Sequence, residues 1–153
     1  MKKFLSIAVS LLLGISSYAF NPGDIDAKLL QSFNNSFPNA KEVKWSEQEE
    51  LYMVTFFEEG IRSRAIYPKD GSYVHVTRYY MESNLPFGIL YKVNKQYPDK
   101  KVYCVVEVST ISEPGSKLTV EYYVKMEDPK TWVTIKLDSN GSMTVVEKYR
   151  KAL

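Results

Sequence analysis

The chain passes from helical to strand period twice, in the same order each time. Ile25, Leu29, Phe33 and Phe37 recur at helical steps and form one apolar stripe, which Pro38 stops. Pro22-Gly23 makes a short leader to this helix, and Asp24 or Asp26 stands where an N-cap is needed. A second stripe, Ile89, Leu90, Val93 and Tyr97, opens after Pro86 and closes at Pro98. Pro86 falls in the first helical turn, where a missing N–H costs nothing. Both helices end at an aromatic-proline corner: Ser36-Phe37-Pro38-Asn39-Ala40-Lys41, then Gln96-Tyr97-Pro98-Asp99-Lys100-Lys101.

After each corner the pattern alternates residue by residue, the period of a half-buried strand. The first set of predicted strands covers 41–46, 51–58, 61–67 and 72–80. The second covers 101–110, 117–126, 131–137 and 142–149. Glu59-Gly60, Lys69-Asp70-Gly71, Glu113-Pro114-Gly115-Ser116, Glu127-Asp128-Pro129-Lys130 and Ser139-Asn140-Gly141 supply the turns. Short strands on tight turns imply antiparallel pairing. The expected fold is α+β: two tandem helix-plus-antiparallel-sheet (α-β4) units, spanning 24–80 and 85–149, with the helices packed on one face of the sheet.

Alternation also sorts side chains onto faces. Val74 and Val76, then Val102, Cys104, Val106 and Val108, then Leu118, Val120, Tyr122 and Val124, then Val133, Ile135 and Leu137 are expected under the helices. The opposite face then carries Tyr73, His75, Tyr79, Tyr103, Tyr123 and Trp132 among threonines and charges. Aromatic rings within a polar surround suit protein recognition. They also pair across strands in sheets that bind nothing.

Several features limit the chemistry. Lys2 and Lys3, the apolar run Phe4 to Leu13 and the small-x-small Ser17-Tyr18-Ala19 read as a secretion signal over 1–19, cleaved after Ala19. The run is too short to span a membrane, and no later segment is long enough, so no membrane insertion is expected once the signal is removed. The mature single domain is then 20–153, secreted or periplasmic. Without Lys2 and Lys3 it holds 18 basic and 18 acidic residues, a balance that argues against nucleic acid or an anionic membrane as partner. The aromatic content is high at 14%, led by 12 tyrosines, and suits a β-rich fold or a contact surface. The one cysteine, Cys104, excludes an internal disulfide and reads as a buried apolar residue. The one histidine, His75, lies in another strand and has no evident partner.

No phosphate loop, nucleophile elbow or metal-ligand cluster occurs, so no cofactor is expected. Glu47, Glu49, Glu50, Glu58 and Glu59 could pair as catalytic carboxylates or hold a hard cation, yet they fall at turns, where solvated charge is the default.

Phe37-Pro38-Asn39-Ala40-Lys41-Glu42-Val43-Lys44-Trp45, followed by Tyr52-Met53-Val54-Thr55-Phe56-Phe57-Glu58-Glu59-Gly60, resembles the PepSY-like, β-lactamase-inhibitor-like secreted proteins of Bacteroidetes-type bacteria. The resemblance covers about residues 24–149 and weakens in the second unit, where Tyr97-Pro98-Asp99 lacks the alanine and the tryptophan. It implies tandem α-β4 units, an envelope or secreted location and no established activity. No functional residues carry over. The expected function is non-catalytic recognition of a protein or peptide through the aromatic sheet face, inhibition of an enzyme being one form of it. The expected oligomeric state is a monomer or weak homodimer. A small apolar or sugar ligand held between helix and sheet is the alternative.

Overall fold

The computed structural model describes residues 25–70, 74–81, 84–111 and 118–152. The expected signal segment, Tyr73 and the Glu113-Pro114-Gly115-Ser116 turn lie outside them. Helix α1 spans Ala27–Ser36 and is followed by β1 (Lys41–Gln48), β2 (Leu51–Glu58), β3 (Ile61–Pro68) and β4 (Val74–Tyr80). Helix α2 (Phe87–Gln96) then leads into β5 (Lys101–Ile111), β6 (Thr119–Glu127), β7 (Thr131–Leu137) and β8 (Met143–Arg150). All eight strands form one sheet in chain order, each antiparallel to its neighbours. The fold is α+β and dominated by that sheet.

Local chemistry explains the boundaries. The Asp26 carboxylate accepts the Lys28 N–H at 2.7 Å and caps α1. At the far ends, the Phe37 N–H reaches the Phe33 carbonyl at 2.9 Å and the Tyr97 N–H reaches the Val93 carbonyl at 2.8 Å. A proline then turns each chain out. Between β2 and β3, Glu59 and Gly60 both have positive φ (52° and 78°), the twist a two-residue hairpin needs and one that glycine adopts without strain.

Each helix covers its own patch of the same sheet face. Phe33 and Phe37 of α1 bury against Val54, Phe56, Ala65 and Tyr67. Phe33 meets Phe56 edge to face, with centroids 5.1 Å apart. Ile89 and Val93 of α2 bury against Val102, Val105, Val124, Met126, Val133, Ile135 and Leu137. Full burial of such side chains contributes about 1.5–3 kcal/mol each.

One strand departs from simple alternation. Val102 pairs with Met126, but the next β6 residue, Lys125, pairs with Cys104, so Tyr103 and Cys104 together oppose one residue. This bulge reverses the pleat. Beyond it Val105, Glu107 and Ser109 lie on the helix side and are buried. Cys104, Val106 and Val108 take the opposite face, not the helix face that unbroken alternation predicts. Cys104 is consequently half-buried rather than a core residue. Leu118 precedes β6 and is 49% exposed, so it too is absent from the core.

Candidate recognition face

Cross-strand pairing fixes which side chains share the face away from the helices. One row runs Phe57, Arg62, Tyr79, Val106, Tyr123, Lys136, Thr144. A neighbouring row runs Lys44, Thr55, Arg64, Thr77, Val108, Glu121. His75 lies opposite Thr110, and Trp132 lies between Glu127 and Tyr149. His75, Tyr79, Tyr103, Tyr123 and Trp132 therefore occupy one face, and Tyr73 lies outside the described residues.

The aromatic groups are held by specific contacts. Tyr103 meets Trp132 edge to face at 5.4 Å between centroids. The Trp132 ring also carries Lys125 Nζ at 4.9 Å and Lys151 Nζ at 4.6 Å from its centroid. Lys151 is tied in turn to Glu127 at 2.5 Å. The Arg62 guanidinium lies 5.9 Å from the Tyr79 centroid. The Tyr123 hydroxyl donates to Glu121 at 3.2 Å, and Glu121 pairs with Lys136 at 2.5 Å. His75 has a partner after all: its Nδ1 lies 3.0 Å from the Thr110 hydroxyl. Tyr149, at 59% exposure, extends the patch to the β8 edge.

The opposite face holds a polar node between the two apolar clusters. Glu107 accepts from Arg78 at 3.0 Å, from the Tyr80 hydroxyl at 2.8 Å and from the Ser109 hydroxyl at 3.3 Å. Arg78 also reaches Glu58 at 3.7 Å. Burial, with the hydrogen bond to Glu107 second, pushes the Tyr80 phenol well above its ordinary range. Sequence reasoning passed over this node. The available signal was a lone glutamate within the apolar run Val105 to Val108, since a buried charge requires partners.

The acidic residues at the first hairpins do not converge. Glu47 pairs with Lys69, Glu58 turns toward Arg78, and Glu49 and Glu59 occupy turns. Among the described residues no group of three or more His, Cys, Asp or Glu is placed to hold a metal. Burial raises the Cys104 thiol above its ordinary pKa, against the nearby Lys125, which disfavours the thiolate a nucleophile needs. Between α2 and β5 lies an open notch of about 470 Å³, lined by Leu85, Leu90, Pro98 and Val102 with Asn94, Lys100 and Lys101. No helix among the described residues is long and apolar enough to cross a membrane.

No family model and no curated protein matches the chain. Solved structures do. A BLIP-like protein from Bacteroides fragilis has 18% identity and a TM-score of 0.60, over 86% of this chain and 89% of that one. A DUF2874 family protein from Bacteroides ovatus has 17% identity and a TM-score of 0.57, over 84% and 89% of the two chains. A protein from Bacteroides eggerthii, provisionally assigned to the periplasm, has 16% identity and a TM-score of 0.53, over 82% and 88%. At such identities the likeness extends to the fold alone: the chain shares the architecture of BLIP-like and DUF2874 proteins.

Proposed function

We propose that the chain is a non-catalytic periplasmic or secreted binding protein that recognises a protein or peptide through the open sheet face, with inhibition of an enzyme as one form of that recognition. The observation that carries this reading is the cluster Tyr103, Trp132, Lys125 and Lys151, in which rings and cations are ordered at a surface that no element covers among the described residues. Ordered aromatic side chains lose little entropy on contact and give large area per residue. The likeness to a BLIP-like fold and to a protein provisionally assigned to the periplasm supports the reading. So does the secretion-type N-terminus. We further read the two helix-plus-four-strand halves as two copies of one α-β4 unit of PepSY-like type.

The test is capture of a partner from envelope and secreted fractions of the source organism, with Trp132→Ala/Tyr123→Ala beside the parent chain. A protein held by the parent and lost by a folded double variant supports the reading. Equal capture by both forms overturns it.

A further inference from the structure

The open face carries an uneven charge that the balanced composition conceals. In the β1–β4 half, its ladder rows hold Lys41, Lys44, Arg62 and Arg64 and, among the described residues, no carboxylate. One carboxylate, that of Glu42 on the β1 bulge, lines a basin of about 480 Å³ together with Lys44, Thr55, Phe57 and Arg62. Lys44, Arg62 and Arg64 have no ion-pair partner among the described residues. The other described glutamates of this half lie away from this face: Glu49, Glu50 and Glu59 in turns, and Glu47 and Glu58 on the helix side with Lys69 and Arg78.

We propose that this face takes an acidic segment of its protein partner, with carboxylates at Lys44, Arg62 and Arg64 and apolar side chains against Phe57, Tyr79 and Tyr123. The inference rests on the reading of this face as a recognition surface and adds the chemistry of what it recognises. Arginine suits the task, because its planar fork meets a carboxylate with two parallel hydrogen bonds. Stacking near the Tyr79 ring holds the Arg62 guanidinium in place and leaves its donors for a ligand. Unpaired cations beside apolar rings also steer an acidic partner before contact. A nucleic acid or other continuous polyanion fits less well, since Glu121, Glu127 and Glu147 lie on the same face in the β5–β8 half and would oppose a charged backbone running across the sheet. An acidic peptide segment concentrates its charge over one half and can place apolar residues over the other.

The experiment is fluorescence anisotropy of a labelled random glutamate-tyrosine copolymer titrated with the chain, in parallel with poly-lysine and a single-stranded DNA oligonucleotide. Arg62→Gln/Arg64→Gln and Trp132→Ala/Tyr123→Ala are titrated beside the parent, after circular dichroism has established that each is folded. The copolymer is expected to bind, to weaken as salt rises, and to bind about tenfold more weakly to the arginine variant. Binding lost by the aromatic variant but kept by the arginine variant overturns the acidic-partner inference and leaves the recognition face standing. Binding unaffected by either pair, or absent in the parent, removes both. DNA bound as tightly as the copolymer overturns the inference in favour of a polyanion site, and preference for poly-lysine overturns it outright.

Discussion

Tyr103 and Trp132 lie edge to face, with an interplanar angle of 84°, and Tyr103 stands in the β5 bulge that brings Cys104 to its own side of the sheet. Without the extra residue, the pleat would carry Val105 and Glu107 away from the α2 core and the polar node. The bulge that carries Tyr103 therefore completes the core behind the aromatic patch.

That arrangement separates recognition from stability. Trp132→Ala with Tyr123→Ala removes half-buried rings from an uncovered face and is expected to cost about 1–2 kcal/mol in total. Denaturant unfolding should show a folded, cooperative protein that has lost partner capture. Collapse of the fold would mark the rings as structural.

The Glu107 node should behave as a coupled unit. Tyr80→Phe is expected to cost about 1 kcal/mol by removing one hydrogen bond to a carboxylate. Arg78→Met should cost more, about 2–3 kcal/mol, since it leaves Glu107 buried without its cation. Adding Glu107→Met to Arg78→Met should recover part of that loss. Strictly additive urea-unfolding energies would contradict the coupling.

Asp128 predicts acid sensitivity. Hydrogen bonds from Lys100, from the Thr131 hydroxyl and from the backbone N–H groups of Lys130 and Thr131 hold its carboxyl far below the ordinary carboxylate range. A folded-state pKa below the unfolded one contributes stability above the unfolded value, about 4, and loses it as pH falls toward the folded value. The Tm of the parent should exceed that of Asp128→Asn near neutral pH, with the gap closing in acid. A gap that stays constant with pH would assign the effect to hydrogen-bond geometry alone.

Cys104 should alkylate more slowly with iodoacetamide than a free thiol at neutral pH, and its rate should keep rising through the range where an ordinary thiol has levelled off. A rate matching that of glutathione across pH would show an unperturbed, accessible thiol.

The core of the first half depends on Phe33, which is 2% exposed and in ring contact with Phe37, Trp45 and Phe56. Phe33→Ala is expected to cost about 3–5 kcal/mol. Phe87→Ala, at a site 82% exposed, should change stability by less than about 0.5 kcal/mol. Comparable losses at the two positions would contradict the assigned core.

Both helices, their proline exits and the succession of strands along the chain were legible in the sequence, because each rests on interactions within a few residues. The Phe33 stripe, an aspartate cap at position 24 or 26 and the Glu59-Gly60 turn are set by local period and backbone preference, whatever the rest of the chain does. Alternation likewise placed His75, Tyr79, Tyr123 and Trp132 on the face away from the helices, since their strands keep an unbroken pleat where these residues lie. Tertiary structure decided what depends on a partner strand. The β5 bulge exists only in the pairing with β6, so the sequence by itself put Cys104, Val106 and Val108 on the wrong face and gave no reason to bury Glu107. Whether two sets of four strands make one sheet was decided by the β4–β5 pairing across α2, and the cation-rich half of the open face emerges only when the strands are set side by side.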